Sequence, residues 1–226
     1  MATKKTEAVV TIKPIQIKKT IVRIVGDTPL IVHSWSDKAK QMILDAQTGK
    51  AKGKKKPKRV PAADFVEGAY WLTPKPVYGE NAEDEEVIAA FEQAIEAGAR
   101  FGFPATAIKQ AANAAAYRLG WVKNQAGLRG AWFIEADENG LVEIHSDAPV
   151  IREDMVKIGM GTADLRYRPQ FNNWYCDLVI SYNANGEFDL DSIINAINAG
   201  GYCCGVGEWR PERDGDYGRF HVESAG

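Results

Sequence analysis

The sequence predicts an α+β protein with a ferredoxin-like antiparallel sheet and helical insertions. Two observations lead to this prediction. Segments rich in β-branched residues stand in both halves of the chain, and each half places helical patterns between strand patterns. The composition, 45% apolar and 26% charged over 226 residues, is that of a globular protein and excludes wholesale disorder.

The first half opens with a strand pattern over residues 15–25 and a short apolar run over residues 30–33. Helical patterns follow Ser34 or Ser36, follow Pro61, and cover residues 87–95 and 103–119. The last of these helices is rich in alanine. Small side chains on a helix favour close packing of its backbone against a sheet or another helix, which we expect here.

The second half is mostly strand. Its strand patterns cover residues 131–134, 141–145, 150–158, 164–168, 174–182, 202–206 and 218–222. The first two flank a turn at residues 137–140 and predict a hairpin. A helix is predicted from Asp191 or Ser192 to the glycine pair at residues 200–201.

The expected domain organisation is simple. Residues 1–14 are polar and predict a mobile N-terminal arm. Residues 15–226 predict one domain, with a disordered basic loop inserted at 48–61 and a helical insertion at 62–120.

Charge is strongly segregated along the chain. The total is 28 basic against 30 acidic residues, a net charge of −2. Residues 50–59, the basic segment, carry seven cations and no acid, which leaves 21 basic and 30 acidic residues elsewhere, a net charge of −9. The cations are Lys50, Lys52, Lys54, Lys55, Lys56, Lys58 and Arg59. Such a segment favours a phosphate backbone as its partner, because each phosphate that it neutralises releases counterions.

Several other chemistries lack their residues. The three histidines have no ligand spacing, and the three cysteines form no Cys-x-x-Cys pair, so we expect no metal. Neither a third glycine after Gly207 nor a Gly-Lys-Ser/Thr motif is present, so we expect no nucleotide cofactor. No stretch is apolar enough for a membrane span, and the N-terminus lacks the apolar core of a signal peptide. The expected location is the cytoplasm.

His33 is the histidine with a suggestive position, after the second apolar run and ahead of a helix. Two interpretations stay open. It acts as the general base of a metal-independent RNA cleavage, because its ordinary pKa lies near neutrality, or it caps the helix beside Ser34 and Ser36.

A second set of basic and aromatic residues lies near the C-terminus. Arg166 and Arg168 alternate with a tyrosine in a predicted strand, so both arginines face the same side. The glycine-flanked loop that follows adds Trp209, Arg210, Arg213, Tyr217 and Arg219. Arginines for phosphate and aromatic rings for base stacking are typical of single-strand binding surfaces. The alternative is that the four acidic residues of the loop neutralise these arginines in local ion pairs.

The loop as a whole, GVGEWRPERDGDYGR over residues 205–219, resembles the C-terminal glycine-rich loop of the RAMP superfamily, the Cas5, Cas6 and Cas7 proteins of CRISPR effector complexes. The glycines that carry the resemblance are Gly205, Gly207, Gly215 and Gly218. The turn at residues 28–30 is also similar to the start of many such chains. Independently, residues 28–39, 166–174 and 205–222 resemble an uncharacterised family of bacteriophages and prophages.

These resemblances imply a RAMP-like fold and a non-catalytic, phage-type protein that binds RNA or single-stranded DNA in a bacterial host cell. They also imply homo-oligomers, with protomers stacked head to tail as a filament along the strand. Two alternatives stay open. One is a Cas6-like endoribonuclease that uses His33, and the other is a protein-interaction or decoy subunit that acts on host defence complexes.

Overall fold

The structure is a computed structural model that describes residues 13–35, 37–49, 59–158 and 161–223. Most of the predicted N-terminal arm and all six lysines of the basic segment lie outside these residues. The helices are α1 Asp37–Gln47, α2 Pro61–Gly68, α3 Asp84–Glu96, α4 Ala105–Arg118, α5 Gln125–Ala131 and α6 Leu190–Cys203. The strands are β1 Ile17–Gly26, β2 Leu30–Ile31, β3 Phe101–Pro104, β4 Trp132–Glu135, β5 Leu141–Ile144, β6 Val150–Ile158, β7 Thr162–Phe171, β8 Tyr175–Asn183 and β9 Phe220–Val222.

Antiparallel pairing organises all the strands. The main sheet has the order β4-β8-β1-β9, a second sheet has the order β2-β7-β6, and β3 pairs with β5. The predicted α+β class with antiparallel sheets is therefore confirmed. Alternation places Val22 and Ile24 of β1 in the core and leaves Ile17 and Ile21 exposed on the other face.

The alanine-rich helix α4 packs closely against α6, as its composition predicts. A Cβ atom added at Gly200 of α6 would lie 2.6 Å from the backbone nitrogen of Ala112 in α4. The buried faces of both helices join the buried residues of β1 and β8 in one hydrophobic core. This helix pair therefore fixes one wall of the site described below.

The same contact explains an error of the sequence prediction. Helix α6 continues through Gly200 and Gly201 to Cys203, so the predicted end at the glycines and the predicted strand over 202–206 are both wrong. The glycines do not stop this helix. They allow its backbone to approach α4 and Phe220, which a side chain at either position would prevent.

Two further predictions fail at the start of α4 and in the middle of the chain. Residues 101–104 form β3, and the helix begins at Ala105 instead of Phe103. The turn at Asp137 is present, but β4 pairs with β8 and β5 pairs with β3, so the predicted hairpin does not form. In both cases, pairing with a strand that is distant in the sequence determines the local structure. The short helix α5 was not predicted.

Among the described residues, no helix has both the length and the apolar character that crossing a membrane requires.

Candidate functional site

The glycine-rich loop (residues 205–218) folds back on itself and onto β2. The amide of Val206 donates to the carbonyl of Gly218 over 2.9 Å. The amide of Glu208 donates to the carbonyl of Ile31 over 2.8 Å, and that of Gly218 donates to Pro29 over 2.8 Å. The loop is thus held by its backbone to β2 and to Pro29 just before it, which fixes where its side chains point.

Two glycines of this loop are required by its shape. Gly207 and Gly218 have φ angles of +77° and +65°, which favour glycine. A Cβ atom would collide with the carbonyl of Ile31 at the first and with that of Val206 at the second. The close approaches at the other two predicted glycines involve Pro211 for Gly205 and Trp209 for Gly215.

Glu212 connects the loop to α4. It accepts hydrogen bonds from Arg210 over 3.0 Å and from Arg118 over 2.6 Å. Burial opposes the charged form of Glu212, but the two arginines outweigh it and lower its pKa. For Arg210, the alternative of local ion pairing within the loop is therefore what the structure shows.

The remaining predicted loop residues have different surroundings. The guanidinium of Arg152 lies 4.4 Å above the ring of Tyr217, and the Arg219 side chain donates to the Asp216 carbonyl. Trp209 keeps 41% of its surface exposed. Arg213 is exposed and makes no ion pair with any residue that the structure describes. Trp209 and Arg213 are therefore the loop residues most open to a ligand.

The two arginines of β7 differ in accessibility. Arg168 is buried, with its guanidinium 3.2 Å from Asp154 and 3.9 Å from Glu208. Arg166 lies 2.7 Å from Asp164. Both line a cavity of about 270 Å³, the β7 pocket, together with the exposed Trp35. The two arginines are two positions apart on β7 and so share one side of the strand, as predicted. Arg168, however, is buried and its charge is compensated by Asp154.

Arg59 is the one member of the basic segment that the structure describes. It donates to Asp64 over 2.6 Å and to Asp164 over 2.8 Å, and it lies 5.6 Å above the ring of Tyr167. Its charge is thus compensated by two carboxylates, of which that of Asp64 lines the β7 pocket. It anchors the end of the basic segment to β7 and α2.

A larger opening, the α4 groove, lies between α4 and the glycine-rich loop and has a volume of about 850 Å³. Four cations and two carboxylates line it. They are Lys109, Arg118, Arg129, Arg210, Glu208 and Glu212. The excess of positive charge favours anionic ligands.

Lys109 and Arg129 are the uncompensated cations of this groove. Neither has a carboxylate partner among the described residues, and the Arg129 side chain donates to Gln125 on its own helix. The Lys109 ammonium lies 3.9 Å from the ring centre of Phe133, and burial lowers its pKa. These two charges are available to a ligand without breaking an ion pair.

The sequence prediction missed the α4 side of this groove. Thr106, Lys109, Gln110 and Asn113 are spaced three and four residues apart and form one polar stripe on the alanine-rich helix. That spacing was the available signal, because a polar stripe on an otherwise small and apolar helix marks a face that points away from the core, and of these four residues only Asn113 is buried.

His33 lines both the α4 groove and the β7 pocket. Its Nδ1 atom lies 4.0 Å from Glu208, and Tyr70 donates to its carbonyl over 3.5 Å. Burial and the charge of Arg168 lower its pKa, with Glu208 opposing them. His33 precedes the first residue of α1 by four positions and lies near Glu208 of the glycine-rich loop. Ser36, which the helix-capping interpretation also involves, lies outside the described residues.

Within the described ranges, no group of three or more histidine, cysteine or acidic side chains is arranged to hold a metal ion. Neither a family model nor a curated protein gives a significant match to the chain.

Proposed function

We propose that the protein is a non-catalytic binder of single-stranded nucleic acid, RNA or DNA, and that the α4 groove holds the strand. The excess of cations in this groove, with Lys109 and Arg129 uncompensated, is the observation that carries the proposal. Unpaired cations attract phosphates, and each phosphate that they neutralise releases the counterions condensed on the nucleic acid. The lysines of the basic segment add to this attraction.

The topology supports a ferredoxin-like core of the RAMP type as part of the proposal. The elements β1, α4, β4, β8, α6 and β9 follow one another in the order β-α-β-β-α-β, and their four strands form one antiparallel sheet. The remaining helices and strands are then insertions, as the resemblance implies.

Exposed aromatic residues beside both openings supply surfaces for base stacking. Trp209 stands in the loop that forms one wall of the α4 groove, and Trp35 lines the β7 pocket with 61% of its surface exposed. Stacking of a base on an aromatic ring contributes about 1–3 kcal/mol and tolerates any sequence.

A salt series tests the proposal. The variant Lys109→Ala/Arg129→Ala is compared with wild type in filter binding to labelled single-stranded RNA and DNA between 50 and 300 mM salt. Loss of two phosphate contacts flattens the slope of log K against log salt by about 1.4. A variant with serine at the six lysines of the basic segment is expected to flatten it further.

The matched control is Lys19→Ala/Arg100→Ala. It removes the same charge from cations that are paired with Glu135 and Glu143 outside the groove. An equal change of slope in both double variants, or salt-insensitive binding by the wild type, contradicts the proposal.

A metal-independent endoribonuclease is the second candidate, and one observation favours it. His33, Tyr70 and Lys109 line the same groove, and the pKa values of His33 and Lys109 are both lowered. A neutral His33 would take the proton of a ribose 2′-hydroxyl while the 2′-oxygen attacks phosphorus. The bond from phosphorus to the 5′-oxygen breaks, Lys109 gives that oxygen a proton, and a 2′,3′-cyclic phosphate remains.

Incubation of hairpin and linear RNA with wild type and His33→Ala, in the presence of a chelator, separates the candidates. A binder leaves RNA intact with both proteins. Cleavage by the wild type that disappears in the variant establishes the enzyme instead.

Assembly along the strand belongs to the same proposal. The nine-residue strand β6 is an edge of its sheet among the described residues and carries the exposed Ile151 and Met155. Unpaired edges of this length are suited to pairing with a second chain. Sedimentation velocity with and without a 40-nucleotide strand tests it, and a monomer under both conditions contradicts it.

A further inference from the structure

Asn113 is the buried member of the polar stripe on α4. It keeps 3% of its surface exposed, and its Oδ1 atom has no hydrogen-bond partner. Its neighbours on α4 toward the core are Ala111, Ala112, Ala115 and Ala116. An unpartnered buried amide costs about 1–3 kcal/mol, a cost that alanine at this position would avoid. Stability of the fold therefore does not account for this side chain.

The position of Asn113 suggests what it does. It lines the α4 groove one turn after Lys109, with Gln110 between them on the same stripe and the glycine-rich loop across the opening. Tyr70 and Phe103 line the same groove. A groove of this volume accommodates a nucleotide, and a few placed polar groups in such a pocket commonly set its specificity.

We propose that Asn113 recognises the edge of an unstacked nucleobase, and adenine in particular. This rests on the proposed function. The Oδ1 atom lacks a donor and is itself shielded from solvent, so the amide must turn about its Cβ–Cγ bond to present both of its polar atoms to a base in the groove. Adenine presents that complementary pair, since its N6 amino group donates to Oδ1 and its N7 accepts from the amide nitrogen. Lys109 and Arg129 would hold the flanking phosphates.

The test measures the binding of labelled ten-nucleotide oligo(A), oligo(C) and oligo(U) to the full-length protein by fluorescence anisotropy. Wild type is expected to bind oligo(A) at least about fivefold more tightly than the other two, because one bidentate amide–base pair discriminates by that much or more. In Asn113→Leu the three affinities converge, while the salt dependence stays as in wild type.

Gln93→Leu is the matched control, because it removes an exposed amide from α3 outside the α4 groove. It should keep the preference for oligo(A). Asn113→Ala, which introduces the residue of the neighbouring positions, replaces Asn113→Leu if the larger side chain prevents folding.

The outcomes separate the two proposals. Equal binding of all three oligonucleotides by the wild type, or a preference that survives loss of the Asn113 amide, overturns base recognition and leaves the proposed function standing. Binding of none of them overturns both.

Discussion

Arg118, the last residue of α4, donates from Nη2 to the Oε1 atom of Glu212 in the glycine-rich loop over 2.6 Å. This contact joins two segments that are 94 residues apart in the sequence. Arg210 holds the other oxygen of the same carboxylate. One acidic side chain thus connects the two walls of the α4 groove.

Replacement of this carboxylate should make the molecule less stable in a pH-dependent way. The pKa of Glu212 in the fold is lower than its ordinary value of 4.5. Its contribution is therefore complete above pH 4.5 and is lost as the pH falls through the lowered pKa. We expect Glu212→Gln to reduce the free energy of unfolding by about 1 kcal/mol at pH 7, and by less near pH 3.

Urea denaturation at both pH values measures this difference. Glu187→Gln, at an exposed position that does not line the groove, is the control and should leave the free energy unchanged. A constant difference between wild type and Glu212→Gln across the pH range would show that charge at Glu212 is not involved.

The contact between α4 and α6 predicts an asymmetric effect of two glycine substitutions. Gly200→Ala should lower the free energy of unfolding by about 1–3 kcal/mol, because its methyl group meets the backbone of Ala112. Gly130→Ala should raise it by about 0.5–1 kcal/mol, since that helical position faces open space. Chemical denaturation of both variants checks the prediction, and equal effects would contradict the helix packing.

The three cysteines should differ in reactivity. Burial raises the pKa of Cys176 to about 12, and burial is also the main cause of the raised pKa of Cys204. Only the thiolate reacts quickly with disulfide reagents. At pH 8 we expect Cys203, which is partly exposed, to be modified first, and the other two only on unfolding. In Cys203→Ser the fast phase should vanish, and a remaining fast phase would place another thiol at the surface.

The imidazole of His33 should titrate below its ordinary pKa of 6.5, because burial and Arg168 disfavour its charged form. As the pH falls below 6.5, the unfolded chain takes up this proton before the folded one does, so His33 lowers stability on acidification. NMR titration of the His33 ring measures the midpoint. Glu208→Gln removes the carboxylate that lies 4.0 Å from the Nδ1 atom of His33 and should lower the midpoint further. A midpoint at or above 6.5 in the wild type contradicts the assignment.

Local patterns predicted the elements of this fold better than they predicted its pairings. The strand over residues 15–25 and the helix after Pro61 were found, because period-2 and helical spacing are properties of the segment itself. The hairpin around Asp137 failed because β4 and β5 each find a partner far away in sequence. The end of α6 failed because Gly200 is explained by its contact with Ala112.

The candidate site, too, was predicted only where its residues are contiguous in the sequence. The glycine-rich loop was visible in the sequence because its residues are contiguous. The α4 groove was not, since Lys109 and Arg210 are about a hundred positions apart and meet only through the packing of α4. Arg168 also illustrates this limit, because alternation along β7 predicts its side but not its burial against Asp154.

His33 belongs to the walls of both openings, which gives the molecule a chemical link between them. A proton on this ring adds one positive charge to the walls of both cavities, and its loss removes that charge from both. A change of pH through the range in which His33 titrates therefore alters the electrostatics of the two openings together.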